Sequence, residues 1–181
     1  MTGAILIRSA ITRNDLKAPD ESSIFVVSYP DYGLDERIKN NLTEILRFPM
    51  ENVMFSSEGI PDTNIPDSIY VTEGNTFEIL RYMQQSGLIS YIRETMKERE
   101  DVVYIGSSAG ALIAGTDILP AKDFENNPVG RMDFSSLGLF DGAILPHLSQ
   151  ETFEVYRRIN ASFLSTYAKV MYVGDCDVLV I

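Results

Sequence analysis

The chain has 181 residues, 45% of them hydrophobic and 23% charged, the profile of a single globular domain with its own core over residues 1–181. Its 15 Lys and Arg stand against 26 Asp and Glu, a formal net charge of -11 that repels phosphate backbones and argues against a nucleic-acid partner. A single cysteine, Cys176, excludes an intrachain disulfide, and a single histidine, His147, leaves too few ligands for a typical zinc site, so neither metal nor cofactor is expected.

Short apolar runs alternate with amphipathic stretches, which predicts a parallel sheet covered by helices. The N-terminal run around Ile5-Leu6-Ile7 is too short and too poor in basic residues for a signal peptide, and no apolar stretch reaches bilayer length. A cytoplasmic protein without membrane contact is expected. Ile5-Leu6-Ile7 and Ile24-Phe25-Val26-Val27 read as buried strands. Asp35 reads as the cap of a helix whose stripe is Ile38, Leu42, Ile45 and Leu46. Val53-Met54-Phe55 and Ile69-Tyr70-Val71 are further strands, separated by a loop with Pro61 and Pro66. A helix from Asn75 carries Phe77, Ile79, Leu80 and Met83 and ends at Gly87, and a second spans 88–99. After Val102-Val103-Tyr104-Ile105 comes a short helix, then an irregular polar segment over 120–136. Gly142-Ala143-Ile144-Leu145 predicts a strand leading to Pro146-His147, at the same carboxyl edge of the sheet as Ser108. A helix over 149–167 and strands at Val170-Met171-Tyr172-Val173 and Val178-Leu179-Val180-Ile181 complete the pattern.

The chemistry concentrates at Gly106-Ser107-Ser108-Ala109-Gly110, a strand-to-helix turn that lifts Ser108 out as a nucleophile. The N–H of Ala109 falls at a helix N-terminus, where an oxyanion is stabilised. Serine also needs a base, an acid to orient it, and a second oxyanion donor. His147 is the one imidazole available as base. Asp117, Asp123, Glu125 and Asp133 all lie between serine and histidine as candidates for the acid. Thr72-Glu73-Gly74-Asn75-Thr76-Phe77 follows a strand and opens a helix, so its N–H groups point to the same edge.

Together these motifs resemble the serine peptidases of dipeptidase E (alpha-aspartyl dipeptidase) and cyanophycinase. The counterparts are Gly74-Asn75-Thr76-Phe77, Gly106-Ser107-Ser108-Ala109-Gly110-Ala111 and Pro146-His147, in the family's order over about residues 69–156. The resemblance implies a flavodoxin-like three-layer α/β sandwich with a mostly parallel sheet, related to class I glutamine amidotransferases. It implies a serine hydrolase acting on short peptides, with Ser108 as nucleophile, His147 as base, and the N–H groups of Gly74 and Ala109 as oxyanion donors. It also places the acid in the loop after the serine. Asp123 stands there (123 minus 108 is 15), with Glu125 the alternative. Arg131 is a candidate for reading an acidic substrate side chain, and a homodimer is compatible with the family. The turn departs from the family in having Thr72 and Glu73 where further glycines are usual. A Glu73 carboxylate pointing into the site would oppose an oxyanion. The other readings of the motifs are a small serine esterase and a relative that binds without turnover.

Overall fold

Alternation along the strands decides the layers. Strand β2 (Ile24–Val27) sends Phe25 and Val27 to one face and Ile24 and Val26 to the other, all of them buried. The first face meets α2 (Thr76–Gln85), α3 (Leu88–Glu98) and α4 (Ala109–Ala114); the second meets Ile38 of α1 (Asp35–Asn40) and Leu42 of the helical turn Asn41–Ile45 that continues it. Helices therefore cover both sides of the sheet, the three-layer α/β arrangement expected. The computed structural model describes residues 4–7, 21–45, 47–62, 64–130, 132–149, 153–154, 164–174 and 178–180, with the backbone alone at 4–7, 45, 123, 148 and 178–180.

Among the described residues the main sheet has six strands. With β1 (Ala4–Ile7), β3 (Val53–Phe55), β4 (Ser68–Val71), β5 (Val103–Ser107) and a last strand β8 (Val178–Val180), its order is β3-β2-β4-β5-β1-β8. From β3 to β5 the strands are parallel, and the chain winds in opposite directions on either side of the gap between β2 and β4. Ligands bind at such a switch point, beyond the carboxyl ends of the strands. Register brings those ends level: Val27 opposes Val71, and Val71 opposes Gly106. The loops after β2, β4 and β5 thus open on one edge.

β1 is the exception to the parallel order: it runs antiparallel to β5 and parallel to β8, within a sheet that is mostly parallel as expected. Two expectations need correction. Asp35 is the first residue of α1, not its cap; its carboxylate accepts hydrogen bonds from the hydroxyls of Ser28 and Ser57 instead. The strand of His147, β6 (Ala143–Leu148), pairs with β7 (Val170–Gly174) in a separate two-stranded parallel sheet, so His147 does not lie on the edge of the sheet that carries Ser108. Of the helix expected over 149–167, residues 149, 153–154 and 164–167 are among the described residues, and 153–154 and 164 are helical. No helix among the described residues is long and apolar enough to cross a membrane.

Helix α2 shows why the sequence pattern works. Phe77, Ile79, Leu80 and Met83 are all fully buried, each contributing about 1.5–3 kcal/mol of transfer free energy. The Asn75 side chain accepts from the N–H groups of Phe77 and Glu78 at 3.1 and 3.2 Å, a cap typically worth about 1 kcal/mol. Gly87, left-handed at φ 80, ends the helix and starts α3.

Candidate active site

Ser108 sits between β5 and α4 at φ 51 and ψ -107, a conformation that costs a non-glycine residue about 1–3 kcal/mol. The chain can turn that sharply because the residues two positions to either side, Gly106 and Gly110, have no side chain. A Cβ on Gly106 would lie 2.6 Å from the Gly110 carbonyl, and one on Gly110 would lie 2.2 Å from the Val71 oxygen. Helix α4 is buried along its whole length, which holds the turn against the sheet. Tyr104, fully buried in β5, adds a buttress: its hydroxyl donates to the Gly110 carbonyl at 2.7 Å. Burial pushes that phenol far up, so it stays a donor.

His147 reaches the serine from β6. Its Nε2 lies 2.7 Å from Ser108 Oγ. With the proton on Nδ1, Nε2 accepts the serine hydroxyl, the geometry a general base requires. The register of β6 against β7 shifts between Leu145 and Leu148, and His147 has φ 62. That irregularity re-aims the imidazole out of the strand, as bulges do beside sites. β6 packs on α4, which sets the distance between the two residues.

The turn after β4 brings Gly74 to the same edge. Neither the Gly74 nor the Ala109 N–H has a hydrogen-bond acceptor among the described residues. The adjacent Asn75 N–H, by contrast, donates to the Tyr32 hydroxyl at 2.9 Å. Tyr32 lies against Gly74 so closely that a Cβ there would be 2.2 Å from its ring, and its hydroxyl donates to Glu78 at 2.5 Å. Burial first, and then the Glu78 hydrogen bond, raise the Tyr32 pKa to about 12. Glu73 does not run unopposed into the site: its carboxylate pairs with Arg37 on α1 at 2.7 Å.

The candidate acids part company. Asp117 Oδ1 accepts from the Leu119 N–H at 2.9 Å and from the Tyr167 hydroxyl, so it shapes a turn. Asp133 accepts from the Ser135 N–H at 2.9 Å in the same way. Glu125 takes the Thr76 N–H and hydroxyl on its two oxygens at 2.6 and 2.7 Å, closing the N-terminus of α2. Burial raises its pKa, while the Thr76 hydrogen bonds and the field of His147 oppose that rise. Asp123 ends the 3-10 turn Leu119–Asp123, and its side chain is outside the described residues, as is Arg131 altogether.

Side chains of α2 and α3 fasten the segment between serine and histidine. Asn75 donates to the Asn126 carbonyl, Arg81 to Val129, Gln84 to Asp133 and Ser135, and Arg93 to Ser136 and Leu137. Neither these latches nor Tyr32, Tyr104 and the Arg37–Glu73 pair were visible in sequence. Each joins residues whose neighbourhood depends on strand order. Tyr104 alone left a signal, a phenol inside an otherwise aliphatic strand.

A mostly parallel, three-layer α/β fold thus carries a serine–histidine pair on a strained turn beyond its strands. Residues 53–181 match peptidase family S51, and the chain belongs to that family. It is 33% identical over 104 residues to an uncharacterized peptidase of Listeria monocytogenes, covering 56% of this chain and 48% of that protein. It is 38% identical over 82 residues to peptidase E of Haemophilus influenzae, covering 45% of this chain and 35% of that one. The chain therefore spans about half the length, 48%, of the first of these relatives, and less of the second. A crystal structure from Listeria monocytogenes EGD-e, provisionally described as a peptidase E protein, superposes with a TM-score of 0.58 at 20% identity. It covers 100% of this chain and 91% of its own, and it bears out the fold.

Proposed function

We propose that the chain is a serine peptidase that hydrolyses short peptides through an acyl-enzyme. The observation that carries this reading is the 2.7 Å contact between Ser108 Oγ and His147 Nε2 at a strained strand-to-helix turn. As Ser108 Oγ bonds to the scissile carbonyl carbon, its proton passes to His147 Nε2. The carbonyl oxygen takes the negative charge and is received by the N–H groups of Gly74 and Ala109. The C–N bond then breaks, and His147 returns the proton to the leaving amine. Water, deprotonated by the same imidazole, releases the acyl group and restores Ser108. An oxyanion donor of this kind is worth about 10²–10³ in rate.

Asp123 is assigned as the group that orients His147, on its place fifteen residues after the serine (123 minus 108). Glu125 is the alternative, and its electrostatic contact with His147 supports it. The two oxygens of Glu125 are already engaged by Thr76, which favours Asp123. Arg131 is assigned to an acidic group of the substrate.

A fluorophosphonate reagent with mass mapping tests the reading. Labelling is expected at Ser108 and is expected to disappear in Ser108→Ala and His147→Ala. A folded protein that takes no label sinks it. A dipeptide library run beside simple esters then separates peptidase from esterase, and Asp123→Asn against Glu125→Gln decides the acid.

A further inference from the structure

Glu73 immediately precedes Gly74, so its Cα lies about 3.8 Å from that of the oxyanion donor. A glutamate side chain is long enough to turn back over its neighbour's N–H. In that position its negative charge would compete with, and repel, the oxyanion that the N–H is meant to receive. The structure places the carboxylate elsewhere. Glu73 Oε1 accepts from Arg37 Nη2 at 2.7 Å, across the turn on α1, with the two side chains 40% and 61% exposed respectively. The pair nonetheless belongs to the elbow's surroundings. Burial raises the pKa of Tyr70 on β4, Ser107 next to Ser108 opposes that rise, and Glu73 and Arg37 act on the same phenol with opposite sign.

An ion pair this exposed adds little to stability, about 0–1 kcal/mol. Its effect on where a charge sits is larger. Arg37 belongs to the first turns of α1, whose Asp35 is tied to Ser28 and Ser57 at the ends of β2 and β3. Helix α1 is therefore tied to the sheet edge, and its Arg37 draws Glu73 towards it.

We propose that Arg37 is a positioning residue for the oxyanion site, holding the Glu73 carboxylate on the α1 side of the turn and balancing its charge. The Gly74 N–H is then left to the developing oxyanion. The inference rests on the serine-peptidase reading above.

The rate of fluorophosphonate labelling at Ser108 tests it, because the transition state of that reaction puts negative charge where the oxyanion forms. Arg37→Ala is expected to slow labelling on the order of tenfold, the effect of one uncompensated charge partly screened by solvent. Arg37→Lys keeps the charge and is expected to retain most of the rate. Arg37→Ala combined with Glu73→Gln is expected to return to the wild-type rate, which a merely structural role for Arg37 would not produce. Arg37→Ala at the wild-type rate, or a double variant as slow as Arg37→Ala alone, overturns the inference while leaving the serine reading intact. A wild type that takes no label overturns that reading and this inference with it.

Discussion

Ser108 and His147 meet at 2.7 Å, yet the two are held there by different means. Ser108 is fixed by the backbone around it: two glycines within two residues on either side, a helix lying on the sheet, and contacts that leave no room for a Cβ. His147 arrives on a bulged strand of a second, two-stranded sheet. Between them runs a segment that side chains of α2 and α3 tie down at long sequence distance. One half of the site is thus built by close backbone packing, within the turn and against Val71 on β4, the other by side-chain latches. Close backbone packing tolerates almost no change, whereas latches fail one at a time.

The sharpest way to break this contrast is Gly110→Ala. Its Cβ would meet the Val71 carbonyl at 2.2 Å, so a loss on the order of 3 kcal/mol is expected in urea unfolding, together with loss of serine labelling. An unchanged midpoint would mean that close approach does not fix the elbow. On the other side, Arg81→Ala and Arg93→Ala together remove the donors to Val129, Ser136 and Leu137. A combined loss of about 2 kcal/mol and new protease cleavage within 120–137 are expected. Equal stability with no new cleavage would show that the latches carry nothing.

Ser108→Gly separates strain from chemistry. Glycine accepts φ 51 freely, so the variant is expected to lose all labelling yet unfold at higher urea, by about 1 kcal/mol. A destabilised variant would contradict a strained elbow.

The smallest effect concerns Glu125. Its folded pKa is raised, chiefly by burial, so the folded state holds its proton more tightly than the unfolded chain does. That contribution is complete below the ordinary glutamate range near about pH 4.3 and is lost as pH rises through the raised value. Glu125→Gln does not titrate. Wild-type stability relative to this variant is therefore expected to fall as pH rises from about 4. A difference that grows with pH would reverse the assigned direction.

How much could be read in advance follows the same division. Phe77, Ile79, Leu80 and Met83 lie on one face of α2 because helical periodicity is a local property, and Asn75 caps it for an equally local reason. The Gly-x-Ser-x-Gly turn was legible because small residues let a strand pass sharply into a helix, a local property, and the sole histidine and the turn at Gly74 gave the pattern its weight. The α1 stripe was readable at Ile38 and Leu42, but Asp35 was misjudged, since its partners Ser28 and Ser57 lie on other elements. His147 was the sole imidazole available, yet the sheet that carries it was not foreseen, because strand pairing depends on contacts remote in sequence.

By itself, then, the sequence determined the alternation of strands and helices, the two core faces of β2, and the turn that exposes Ser108. Each of these follows from neighbours within a few residues. Only the tertiary structure decided that β1 is antiparallel, that Glu125 closes α2 through Thr76, and that Tyr32 takes the Asn75 N–H beside Gly74. It also decided that Glu73 is held by Arg37. Strand order and packing bring these partners together, and local propensity does not encode either.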